Sequence, residues 1–238
     1  MNKNNLHIFF LLFIIGLNGN ISAQYDNSNI GISFNYSYTT TSKLYLYPNA
    51  QDAILRNQFI EMDGARSYGI DIRYKISEPL IIGISTEYLR KTSNHGEFSV
   101  GGFIIEVDDG FELIPVELTL YYHIPFSTEN FKFYMGGGAG IYFGRQVRNF
   151  SDVSVTDNGS QTAYGIQVCT GMDYIANEFI SLRAELRFRD PEFDMKSKYS
   201  KQVFDYEGRS LLLSRESFET KANVDGMTFL IGVVFRLF

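Results

Sequence analysis

The chain has 238 residues, with 21 Lys and Arg against 27 Asp and Glu for a formal net charge of −6. That balance argues against nucleic acid as a partner, which would need a basic surface. A single cysteine, Cys169, excludes an intramolecular disulfide, and 21 Phe with 16 Tyr and no Trp make the chain rich in aromatic residues.

The chain begins MNKNNLHIFFLLFIIGLNGNISAQ. Lys3 precedes an apolar run from Leu6 to Leu17, and the small residues Ser22 and Ala23 follow, which is the layout of a secretory signal peptide cleaved after Ala23. The run is too short for a membrane anchor, which takes about 20 apolar residues. With no Cys near the cleavage point, a lipoprotein anchor is not predicted. Cleavage removes Lys3 and leaves 20 basic against 27 acidic residues in 24–238, a length that suits one β-barrel domain. The longest later apolar run, Phe229 to Phe235, is no transmembrane helix, so a membrane crossing must use strands.

Eight segments alternate with period two. Ile30 to Tyr38 comes first, then Ser67 to Ile76, then Leu80 to Lys91. The fourth and fifth lie in Leu113–Arg145, where Ile114, Val116, Leu118, Leu120 and Tyr122 oppose Pro115, Glu117, Thr119, Tyr121 and His123. Beyond the turn Pro125 to Asn130, Phe133, Met135, Ala139, Ile141 and Phe143 oppose Tyr134, Gly136, Gly138, Gly140 and Tyr142. Thr162 to Tyr174 is the sixth. In the seventh, Ile180 to Arg189, the apolar face of Leu182, Ala184, Leu186 and Phe188 opposes Ser181, Arg183, Glu185, Arg187 and Arg189. Val224 to Phe238 is the eighth.

The connections alternate in length. Ser77–Pro79, Pro125–Asn130 and Ala176–Asn177 are short; about 39–66, 92–110, 146–161 and 191–223 are long and polar. The sequence therefore predicts an all-β fold: an eight-stranded antiparallel transmembrane β-barrel of the outer membrane, with short periplasmic turns, long extracellular loops and both termini periplasmic. The oily faces, edged by Tyr36, Tyr38, Tyr68, Tyr74, Tyr122, Tyr164 and Tyr174, are expected to meet lipid. The interior would then hold Asp71, Arg73, Glu87, Glu117, Asp173, Arg183, Glu185 and Arg187 as a structural network of paired charges. Glycines 136, 138 and 140 are expected to make room for the long Arg and Glu side chains, giving a plugged barrel.

Ile114-Pro115, Tyr121-Tyr122, the turn residue Pro125 and Gly136-Gly137-Gly138-Ala139-Gly140 form a hairpin that resembles the PorT-like, OmpA-OmpX-type outer-membrane β-barrel domain family. Ser22-Ala23-Gln24 and the terminal Phe238 resemble the same group. The resemblance implies a structural or interaction role in an envelope or secretion assembly. It also implies delivery by the barrel insertion machinery and contact with outer-membrane lipid or lipopolysaccharide. Arg236 interrupts the apolar alternation such termini show, so Phe238 ends out of phase or a bulge shifts it.

Other chemistry is weaker. A lipid-modifying enzyme would need a histidine at the outer leaflet. His123 lies beside the periplasmic turn instead, and His95 reads as a loop residue. Asp108-Asp109-Gly110 and Asp152 to Asp157 lack the full spacing of a calcium loop, so no metal and no cofactor is expected, and Cys169 reads as interior filler. A narrow channel lined by the arginines of the seventh strand is the alternative to the structural reading. The 191–223 stretch is expected to extend strands seven and eight as a hairpin offering an edge to a partner.

Overall fold

The computed structural model describes residues 29–159, 162–213 and 216–237. The expected signal peptide 1–23 and Phe238 lie outside the described residues. The chain forms β1 (Ile30–Thr39), β2 (Lys43–Tyr45), the short helix α1 (Ala53–Arg56), β3 (Phe59–Glu61) and β4 (Ala65–Ser77). There follow β5 (Leu80–Val100), β6 (Phe103–His123), β7 (Phe131–Phe150), β8 (Val153–Asp157), β9 (Thr162–Ile175) and β10 (Ile180–Arg189). The last elements are β11 (Glu192–Tyr199), β12 (Val203–Tyr206), β13 (Arg209–Leu212), β14 (Ser217–Asn223) and β15 (Met227–Leu237).

Eight of these strands close on themselves in the order β1-β4-β5-β6-β7-β9-β10-β15, every pair antiparallel. The closing ladder between β1 and β15 runs from Ile30↔Leu237 to Thr39↔Thr228, with no shift in register. Arg236 points inward within that unbroken alternation, so no bulge disturbs β15 as far as Leu237. Closure leaves the barrel ladder no free edge.

The exposed face is the oily one. Phe34, Ile166 and Ile231 are 54%, 77% and 63% exposed, whereas Asp71 and Arg187 are 1% and 3% exposed. A water-soluble barrel would reverse these values. Tyr74, Tyr122 and Tyr174 edge the belt toward the short turns, and Tyr38, Tyr68, Tyr88 and Tyr164 edge it at the other end.

The long connections are built differently from the polar loops that the sequence suggests. β5 and β6 have 21 residues each. At about 3.3 Å per residue each is roughly twice the length of the 9–11 residues that cross a bilayer. Residues 92–110 are thus the far half of one long hairpin, which shifts register between Ser93 and Gly96 and turns on Gly101 and Gly102 with φ of 57° and 86°. Two adjacent positive φ values are what the tightest hairpin turn requires. β7 likewise extends to Phe150 and pairs with β8. β11 and β14 pair with each other, and β8 takes the outer edge of β11 at Ser197–Tyr199 while β2 takes that of β14 at Lys221–Asn223. The expected hairpin over 191–223 is thus present as β11 and β14, and within it β12 and β13 form a separate two-stranded sheet whose outer edges pair with no other described strand; the upper part of the main sheet ends at β3 and at the far half of β5.

Candidate functional site: the barrel interior and the cavity above it

The inward side chains of β6 sample the interior from bottom to top. From the short turn upward they are His123, Tyr121, Thr119 and Glu117, then Pro115, Leu113 and Phe111, then Asp109, and finally Val107 and Ile105, all buried. Three layers follow from that one strand: polar, apolar, and a mixed upper layer.

In the polar layer, β10 supplies a column of Arg183, Glu185, Arg187 and Arg189, because alternate residues of a strand share a face. Arg183 donates to both oxygens of Asp173 at 2.8 and 2.9 Å and to Asp71 at 3.1 Å. Arg73 donates to Asp71 at 2.9 Å and to Glu185 at 2.7 Å, and its guanidinium lies 3.6 Å from the centroid of the Tyr121 ring. Arg187 joins Glu185 at 2.8 Å to Glu117 at 3.0 Å. Arg189 donates to Glu87 and, at 3.4 Å, to Glu117. All eight residues named from the sequence lie in this connected set, and Arg189 belongs to it as well. The hydroxyls of Tyr121, Tyr134 and Tyr142 donate to Asp71, Glu185 and Glu117 at 3.2, 2.8 and 2.8 Å.

The glycines make room for these rings and for the neighbouring backbone more than for the charges. A Cβ on Gly136 would stand 2.7 Å from Tyr121, one on Gly171 2.6 Å from the Tyr134 hydroxyl, and one on Gly138 2.1 Å from the Leu118 carbonyl oxygen. Of the three expected to accommodate Arg and Glu, only Gly140 does so, facing Glu117 Cγ at 2.8 Å. Cys169 is buried against Tyr121 and Tyr134. His123 lines a recess of about 60 Å³ at the lower mouth, together with Arg73, Asp173 and Arg183. The side chain of His95 lies outside the described residues.

The apolar layer is supplied largely from outside the barrel. Leu44 of β2, Met62, Phe193 and Met195 of β11, and Ala222 of β14 fold over the mouth onto Leu89, Phe111 and Leu113. Phe193 meets Phe111 edge to face, with ring centroids 5.8 Å apart. Nothing in the alternation of 191–223 separates Phe193 from an ordinary loop aromatic. Its flanking Pro191, buried where β11 begins, is the one local signal.

Above this cap the upper strands and the 46–58 segment border an open cavity of about 1280 Å³. Leu46, Ile60, Val107 and Phe218 give it apolar walls, and Asp109, Arg148, Lys196 and Glu219 give it charge. Arg148 donates to Asp109 and, at 3.2 Å, to the Tyr199 hydroxyl, and it lies 4.6 Å from the Phe218 ring centroid. Burial opposes its charge, but the Asp109 carboxylate raises its pKa above the usual arginine value. Asp109 also accepts from Gln146 at 2.8 Å, and Asp152 pairs with Lys201 at 2.5 Å, so both carboxylates are engaged by protein groups.

The family model described as "Outer membrane protein beta-barrel domain" matches residues 9–236. Among solved structures, the outer membrane protein OprG from Pseudomonas aeruginosa is similar with a TM-score of 0.60 at 14% identity, covering 88% of this chain and 96% of that chain. Neisserial surface protein A has a TM-score of 0.49 at 13% identity, covering 87% and 97%. Ail, the attachment invasion locus protein of Yersinia pestis, has a TM-score of 0.45 at 13% identity, covering 88% and 99%. A search of curated proteins gives no match. The likeness to OprG carries the fold and the family model carries the kinship: this chain belongs to the outer membrane protein beta-barrel domain family and resides in the outer membrane.

Proposed function

We propose that the barrel is a non-conducting anchor and that the assembly above it does the work, presenting its cavity and rim to partners outside the cell. The apolar cap carries this reading. A conducting lumen would require Phe193, Met195, Leu44 and Met62 to leave the mouth together and, beneath them, a buried network of paired arginines and carboxylates to come apart, which is costly. The network is structural in this account. The reading assigns no catalysis: His123 stands at the lower mouth, away from the cavity. Service in an envelope or secretion assembly, as the PorT-like hairpin 114–145 implies, fits the same picture, with outer-membrane lipid around the belt and the insertion machinery delivering the chain.

Planar-bilayer recording of the refolded barrel tests it, with heat-modifiable gel migration as the check on folding. A folded barrel that is silent supports the anchor. A steady ohmic conductance that changes in Arg183→Ala or Arg187→Ala makes the interior a path and puts the narrow-channel alternative first.

A further inference from the structure

Just above the apolar belt, the outer surface is charged unevenly. Arg66 of β4, Arg90 of β5, Glu112 of β6 and Arg145 of β7 are register partners in one row across four adjacent strands. Each is the first outward charged residue above the apolar run of its own strand, directly over Tyr68, Tyr88, Ile114 and Phe143. Glu112 is only 5% exposed and ties the two arginines beside it, accepting from Arg145 at 2.5 Å and lying 3.4 Å from Arg90. The side chains of Arg90 and Arg145 remain 53% and 64% exposed. On the opposite side of the rim, the corresponding outward residues of β10 and β15 lead to Asp190 and Asp225. A chain of net charge −6 thus gathers three arginines around one glutamate on one flank of the belt.

We propose that this row is a binding site for the phosphate of a phosphorylated glycolipid of the outer leaflet, with the lipid's acyl chains lying along the apolar runs beneath. The inference rests on the reading that the extended end faces outside. Guanidinium groups take phosphate through paired donors in a fixed fork. Glu112 holds two of those forks in place, so less rotamer freedom is lost on binding. The surface that continues below them, Tyr88, Ile114 and Phe143, is 43%, 44% and 49% exposed and wholly uncharged, which suits a ligand with a charged head and a hydrocarbon tail better than a soluble anion. A site of this kind would fix the barrel's rotational setting among its lipids.

Native mass spectrometry of the refolded full-length chain in detergent micelles, titrated with diphosphoryl lipid A, tests the site. The chain is expected to retain one lipid. Arg90→Gln with Arg145→Gln should weaken retention about tenfold or more, the loss expected for two charged contacts. Lys43→Gln with Lys221→Gln, on the acidic side of the rim, should leave it unchanged. Folding is read from heat-modifiable migration, and Arg90→Lys with Arg145→Lys, which keeps the charge and removes the forks, is a second variant that should still lose several-fold. Equal retention of dephosphorylated lipid A, or unchanged retention in the arginine variants, overturns the proposal. Displacement by inorganic phosphate at matching concentration overturns it too and makes the row a simple anion site. Ser99→Cys separates the underlying reading: labelling by an impermeant maleimide on intact cells supports the outward placement, and labelling only after the envelope is opened removes the outer leaflet from the proposal.

Discussion

Glu185 accepts hydrogen bonds from Arg73, Arg187 and Tyr134, and its side chain has no exposure at all. Removing its charge leaves Arg187 and Arg73 each short of a partner inside the barrel, so Glu185→Gln should cost about 3–5 kcal/mol of stability, the range for breaking a buried ion pair from one side. Replacing both residues, as in Glu185→Met with Arg187→Met, should recover only the share owed to the unpaired Arg187, because Arg73, Tyr134 and Glu117 each still lose a partner. Urea unfolding of the refolded barrel measures both, and equal costs for single and double variants would mean that the pair does not act as a unit. Strand parity was enough to place these residues inside, because one missed position would have put Asp71, Arg183 and Glu185 into lipid. Parity says nothing of who meets whom. That Arg183 grips Asp173 on one side and Asp71 on the other depends on barrel closure, which brings together residues 112 positions apart.

At the scale of elements, the eight barrel strands were legible because each alternates cleanly and short turns join them in pairs at one end. Of the upper strands, only the 191–223 hairpin, β11 with β14, was legible. In 92–110 the charges Glu106, Asp108 and Asp109 hide the inward alternation of Ile105, Val107 and Phe111, and the Gly101-Gly102 turn is easily taken for loop composition. The cap was invisible for a different reason: Phe193 is placed by tertiary packing alone, over a glycine with no side chain of its own. A Cβ on Gly144 would stand 2.1 Å from the Phe193 ring. Gly144→Ala should therefore push the ring off the cap and cost about 1–3 kcal/mol, as overpacking does. Gly137→Ala is the matched control, since its nearest neighbour would be 3.8 Å away. Comparing the two by urea unfolding isolates the packing effect, and equal midpoints would show that the ring has room to move.

For the whole molecule, the barrel and the upper assembly are one sheet, because β5, β6 and β7 pass from one into the other without a break in pairing between β6 and β7. Stability should follow that continuity more than the membrane boundary. The amides of β6 from residue 103 to 113 pair on both sides for much of their length and cover buried Ile105, Val107 and Phe111, so they should resist hydrogen exchange nearly as well as those from 114 to 123. The 47–58 segment should behave in the opposite way. Its only regular element is the four-residue α1, which buries no side chain and is followed by an edge strand of three residues. It should exchange fast, and Arg56, exposed in α1, should be the first bond trypsin cuts in the folded protein. Deuterium uptake read by mass spectrometry on the refolded chain decides the matter. If residues 103–113 exchange as quickly as 47–58, the upper sheet is a set of independent loops, and the cavity would be too mobile to serve as a fixed surface for a partner. Protection extending from His123 to Ile105 would instead make the strand side of the cavity as firm as the barrel that carries it, with 47–58 its one mobile wall.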